Sequence, residues 1–209
     1  MLSAGASKKT PVARERDRAQ VEAAQQAFKA RQPTLTTAKL VFVDESGFRL
    51  GASPRYGWAP VGVKAPGKTV CGRWQSMTMV GAIALDGFRG FLTIDAPTSG
   101  EVFAAFVTTQ LAPQLHTGDL VVMDNLGAHK RADIIAAIRA VGADVLFLPP
   151  YSPEFNPIEQ AWGKLKDIIR RMATLTREAF DRAVALAMDA ISLEDIRGWA
   201  AHAGYIMST

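Results

Sequence analysis

Residues 119–149, DLVVMDNLGAHKRADIIAAIRAVGADVLFLP, carry the fold in outline. DLVVMD (119–124) is a short apolar run closed by an acid, which reads as a buried strand. A helix follows with Ile134, Ile135, Ile138 and Val141 at core spacing, and Gly142 closes it. VLFLP (145–149) repeats the strand signal. Upstream, KLVFVD (39–44) is a second strand ending in aspartate. MTMVGAIA (77–84) and FRGFLTI (88–94) form a predicted hairpin, with turn chemistry supplied by Asp86-Gly87. Ser99 caps a predicted helix that runs to Pro113 with Val102, Phe103, Phe106, Val107 and Leu111 on one face. Downstream, the proline-rich PPYSPEFNP leads into a helix whose Ile158, Trp162, Leu165, Ile168, Ile169 and Met172 follow a 3.6-residue period. Two shorter helical segments finish the chain. The order strand, hairpin, helix, strand, helix, strand, helix predicts an α/β fold, a mixed sheet with helices on its faces.

The whole chain has 209 residues, 48% of them hydrophobic and 21% charged, which suits one globular domain and excludes disordered and fibrous classes. Cys71 stands alone, so there is neither a disulfide framework nor a Cys-rich zinc site, and a reducing compartment is expected. No apolar run approaches the ~18 residues needed to span a bilayer, and the first residues lack a signal-peptide core. A cytoplasmic protein with no membrane partner is the expectation. Residues 14–31 are rich in helix formers and stop before Pro33, so residues 1–38 read as a basic lead-in helix and linker ahead of a domain at 39–209. That lead-in holds seven cations and three anions, and the domain that follows carries cations and anions in equal number.

Any basic surface on the domain therefore arises by segregation. Between Arg49 and Arg73 lie Arg49, Arg55, Lys64, Lys68 and Arg73 with no acid, interleaved with Tyr56 and Trp58 and followed by Trp74. Glycines and prolines recur from residue 47 on and mark residues 47–73 as a long loop, and the cations with aromatics within it suit a nucleic-acid or partner-subunit contact. The same stretch holds GVKAPGKT (62–69), which fits the phosphate-loop pattern GxxxxGK[ST] letter for letter. It lacks the preceding strand and following helix that give such a loop its function.

Three carboxylates point to chemistry. Adjacent strands ending in Asp44 and Asp124 at one sheet edge set like charges side by side, and a divalent cation between them removes the repulsion. Glu159 has a purely structural reading: Asn156 as N-cap, Pro157 at the first position and Glu159 closing a capping box. On the helical wheel, however, Glu159, Gly163, Lys166 and Arg170 form one stripe, with Lys164 and Arg171 beside it. A phosphate held at Glu159 would leave the next phosphates running over a glycine onto Lys166 and Arg170. Three carboxylates holding two divalent metals are the machinery of in-line displacement at a phosphodiester, so DNA or RNA is the implied substrate. His129 and Asn125, close after Asp124, and Asn156 are assigned to the surroundings of the site, although a helix-start histidine satisfied by neighbouring backbone fits His129 equally well.

VFVDESGF, VVMDNLGAHK and LFLPPYSPEFNPIEQAWGKLK together resemble the catalytic domain of bacterial insertion-sequence transposases of the mariner superfamily, the Asp-Asp-Glu (DDE) recombinases. The interval from Asp124 to Glu159 matches the one this branch uses, and Asp44 stands well upstream as the first acid of the three. The resemblance spans Lys39 to the end. It implies a ribonuclease-H-like fold with helices on both faces of the sheet, and cleavage at transposon ends dependent on two Mg²⁺ or Mn²⁺ ions. It also implies transfer of the released 3′-hydroxyl into target DNA, a homodimer on that DNA, and a nucleoid-associated bacterial protein. By position, Asp44, Asp124 and Glu159 would be the catalytic metal ligands. Full-length members carry helix-turn-helix modules ahead of this domain, for which the segment before Lys39 is too short, so a separate helix-turn-helix polypeptide is an expected partner. The competing reading is a non-catalytic DNA-binding or regulatory remnant of such a transposase.

Overall fold

The computed structural model describes residues 19–53, 59–64 and 75–206. Its strands are β1 (Leu40–Arg49), β2 (Ser76–Ala84), β3 (Gly87–Ile94), β4 (Leu120–Met123) and β5 (Asp144–Phe147). The helices are α1 (Ala19–Arg31), α2 (Gly100–Phe106), α3 (Ala132–Ala140), α4 (Ile158–Arg171), α5 (Arg177–Asp189) and α6 (Leu193–His202). The strands form one sheet in the order β3-β2-β1-β4-β5. β1, β4 and β5 run parallel, while β2 and β3 add antiparallel neighbours. This is the mixed sheet expected from the element order.

The sheet separates two apolar layers. On one face Phe42, Met77, Met79, Ile83 and Val122 meet Trp162, Leu165 and Ile169 of α4 and Phe180 of α5. On the other, Val41, Val43, Val80, Val121 and Met123 meet Phe103 and Phe106 of α2 and Ile134 and Ile138 of α3. Successive residues of β1 and β4 alternate between the layers, as the period of a strand requires. Ser99 caps α2 by accepting from Val102 N–H, as expected, but the helix widens into a π turn at Val107–Leu111 before Pro113. α1 is docked on the first layer through Phe28, whose ring lies 4.9 Å from that of Phe155, and Gln25 donates to Ser152 Oγ.

β1 does not end at Asp44. It continues to Arg49 because β2 pairs with it along its whole length, from Val41↔Ala84 to Arg49↔Ser76, whereas β4 pairs only with Leu40–Phe42. The long loop therefore starts later than the glycine and proline pattern implies. Arg55, Lys68 and Arg73 lie outside the described residues, as do Tyr56, Trp58, Cys71, Trp74 and the second half of the phosphate-loop pattern. No helix among the described residues is long and apolar enough to cross a membrane.

Candidate active site

The parallel register Phe42↔Val122 sets Asp44 and Asp124 level, each two residues beyond that pair. Asp44 sits within β1, and Asp124 immediately follows β4. Glu159 enters from the first turn of α4. All three line one open cleft of about 300 Å³, together with Asn125, Leu126, Tyr151, Asn156 and the Leu148–Pro150 and Ser152–Pro153 segments. Tyr151 holds this wall in a left-handed backbone conformation, φ 55°.

The capping box does not form. α4 begins at Ile158 after Pro157 with no side-chain cap, and Asn156 is buried with its Nδ2 donating to Val43 carbonyl, 3.1 Å away. Tertiary demand for a donor at Val43 outcompetes the local cap. Since that carbonyl requires the NH₂ end, Asn156 Oδ1 is left buried and without a partner on the cleft wall. Glu159 thus has no capping duty, and its side chain lines the cleft.

Electrostatics link the acids. Burial first, and the charge of Glu159 next, push the Asp44 carboxyl up to about 8, against donation from Glu45 N–H and the Trp162 indole. Trp162 Nε1 donates to Asp44 Oδ2 at 3.0 Å. Partial desolvation raises Glu159 above the usual carboxylate range; Lys166 opposes this and Asp124 adds to it. Desolvation, helped by Arg170, lowers the Lys166 ammonium, and Glu159 and Asp44 pull it back up. Lys166 thus feels both the acids and Arg170, on the stripe the wheel gives it. Nothing would crowd a Cβ at Gly163, so backbone approach there is open. Arg170 is paired with Asp167 at 2.7 Å. Lys164 does not widen the basic stripe: it is tied to Asp195 of α6 at 2.6 Å. Arg49 is exposed at the end of β1, five residues past Asp44, and Lys64 is exposed in the β1–β2 connection; neither lines the cleft.

His129 is not satisfied by neighbouring backbone. It is 1% exposed, with Nδ1 2.5 Å from Asp124 Oδ1 and Nε2 3.1 Å from Glu45 Oε1, and its ring stacks on Phe103 at 4.0 Å. Burial pulls its pKa down, but the hydrogen bonds and charges of Asp124 and Glu45 outweigh this and push it up to about 9. At neutral pH the ring carries both N–H groups and donates to both carboxylates. Glu45 and Trp162 are the members of this site that sequence reasoning misses.

Three carboxylates are a hard-oxygen donor set of the kind Mg²⁺ and Mn²⁺ take, and their mutual repulsion is what a cation relieves. As the side chains stand, no three His, Cys, Asp or Glu among the described residues converge closely enough to hold an ion. Asp44 is engaged by Trp162, and Asp124 by His129 and Leu126 N–H, both at Oδ1. The donors fit in kind and line one cleft, and Asp124 Oδ2 is an oxygen that these hydrogen bonds leave open.

A mixed sheet with two level aspartates on adjacent parallel strands and a glutamate from the following helix is the arrangement of a ribonuclease-H-like catalytic domain. Residues 39–181 match the model of the DDE superfamily endonucleases, and the chain belongs to that family. The sequence has no match among curated proteins. Among solved structures it is similar to the Mos1 transposase paired-end complex with left transposon end, with 13% identity and TM-score 0.73 over 98% of this chain and 67% of that one. It is similar also to the mariner Mos1 paired-end complex with Mg, with 12% identity and TM-score 0.75 over 97% of this chain and 65% of that one. The catalytic domain of Mos1 mariner transposase alone matches with 10% identity and TM-score 0.59 over 90% of this chain and 94% of that one. The chain thus spans about two thirds of the Mos1 chains in the DNA complexes and nearly all of the isolated catalytic domain. The expected DDE family and the ribonuclease-H-like fold are both borne out.

Proposed function

We propose that this DDE endonuclease domain cleaves DNA at transposon ends and transfers the released 3′-hydroxyl into target DNA, with Asp44, Asp124 and Glu159 holding two Mg²⁺ or Mn²⁺ ions. One observation carries the reading: three acids from distant parts of the sequence line a single cleft, and Glu159 does so free of the capping role that would explain it otherwise. Support for DNA and for a divalent ion comes from the Mos1 structures, which include complexes with a transposon end and with Mg or Mn. When bound, such ions would neutralise the scissile phosphate and favour an ionised attacking oxygen. The chain's own groups do the rest. Lys166 and Arg170 hold the phosphates beyond the scissile one. Lys64 and Arg49 reach DNA or a second copy farther out, with Arg55, Lys68 and Arg73 in the same segment. Residues 39–209 are the catalytic unit, it works as a homodimer on DNA, and the setting is a bacterial nucleoid.

The test is Mn²⁺-dependent nicking of DNA by the purified chain. Activity that vanishes in EDTA and in Glu159→Gln supports the reading. DNA binding without nicking at any metal concentration identifies a non-catalytic remnant instead. The DNA track has its own check by fluorescence anisotropy: Lys166→Ala with Arg170→Ala is expected to weaken binding about fivefold at 0.1 M salt and to reduce the slope of log K against log salt by about 2. An unchanged slope removes the phosphates from that helix face.

A further inference from the structure

Asp44 and Glu45 are consecutive in β1, so their side chains leave opposite faces of the sheet. Asp44 turns to Trp162 of α4, while Glu45 turns to the α2 side, where it meets His129. His129 is the link between Glu45 and Asp124, and it is closely held: buried, stacked on Phe103, and engaged at both ring nitrogens. Both hydrogen bonds received by Asp124, from His129 and from Leu126 N–H, fall on Oδ1. The carboxylate is thereby fixed in rotation with Oδ2 as the oxygen left for the cleft.

We propose that Glu45 is a positioning residue: acting through His129, it sets the orientation in which Asp124 presents Oδ2 as a metal ligand. The proposal rests on the reading of Asp124 as a ligand and extends it to a residue on the far face of the sheet. The physical basis is general. An imidazole anchored at one nitrogen can hold a carboxylate at the other, and loss of such an outer anchor typically costs about 10–100-fold in metal affinity. Without Glu45 the His129 ring keeps Phe103 beneath it but loses the acceptor that fixes its tilt in the ring plane, and Asp124 follows.

The experiment is Mn²⁺ titration by calorimetry on the purified chain, with thermal unfolding of the metal-free protein in parallel. Glu45→Met keeps the volume and removes the acceptor; Glu45→Gln keeps an oxygen that accepts from Nε2. Expected is Mn²⁺ binding weakened about tenfold or more in Glu45→Met and restored to within about threefold in Glu45→Gln, whatever small change each makes in melting temperature. Equal affinity in wild type and Glu45→Met, or equal impairment in both variants, overturns the proposal. Should Glu45→Met fail to fold, His129→Leu takes its place, since it removes the donor toward Asp124 at similar volume; wild-type affinity there also overturns it. Asp124→Asn separates the two levels. Binding lost in Asp124→Asn but intact in Glu45→Met removes the positioning role alone, whereas binding intact in Asp124→Asn removes the ligand assignment and Glu45's role with it.

Discussion

Asp44→Asn is expected to make the metal-free protein more stable while lowering metal-dependent cleavage on the order of 10³-fold or more. The two effects have one cause. Asp44 is raised from 3.8 to about 8, by burial first and Glu159 second, so the folded state holds a proton that the unfolded chain releases. For an acid shifted in this direction, stability is greatest below the unfolded pKa and declines as pH rises from about 4 to about 8. The full shift would correspond to ~6 kcal/mol, and solvent access and relaxation bring the expected loss to the order of 2 kcal/mol. Asparagine abolishes this cost, keeps an oxygen to accept from Trp162 Nε1, and cannot serve as an anionic ligand. In EDTA at pH 8 its melting temperature should exceed that of wild type by about 5 °C, with the gap closing toward pH 4. Melting curves at the two pH values with nicking assays check this. A lower melting temperature at pH 8, or persistent nicking, would return Asp44 to a purely structural role.

How much of this site is legible in the chain follows from which forces act locally. The two aspartates are readable because short apolar runs ending in an acid state both burial and strand end, and register Phe42↔Val122 then makes them level. The α4 stripe is readable because a 3.6-residue period fixes a face. Other features are not. β1 extends through Glu45-Ser46-Gly47, a stretch with no apolar alternation, because β2 supplies hydrogen-bond partners that no local pattern announces. Asn156-Pro157-Ile158-Glu159 has a capping sequence, but the distant Val43 carbonyl claims the asparagine. His129 shows its proximity to Asp124 in sequence, while its second partner requires knowing that Glu45 faces away from Asp44. The alternation of β1 is the available signal, hidden when the strand is ended at its first acid. For Trp162 the wheel gives a core face, and only packing shows that its N–H reaches Asp44.

Gly81 tests how far that packing governs the chemistry. It lies in β2 directly across from Asp44 and, on the other side, from Phe91. A Cβ built there would stand 2.8 Å from Trp162 Cη2 and 3.2 Å from Phe91 Cδ2. The indole lies over this bare backbone, with Phe91 at 5.9 Å between centroids, and its N–H reaches Asp44. Gly81→Ala therefore cannot be accommodated by a flexible side-chain tip: a rigid bicyclic ring, 2% exposed, has to move. Overpacking of this kind costs about 1–3 kcal/mol. The displaced N–H also releases Asp44, so cleavage is expected to fall about tenfold beyond any loss of folded protein. Trp162→Phe in the same chain separates the two effects. Phenylalanine lacks the atoms that clash and lacks the N–H. The double variant should thus recover much of the stability lost in Gly81→Ala, a coupling on the order of 1 kcal/mol or more, while cleavage stays low. Recovery of both together would mean that Trp162 only fills space, and Asp44 would then be held by β1 alone.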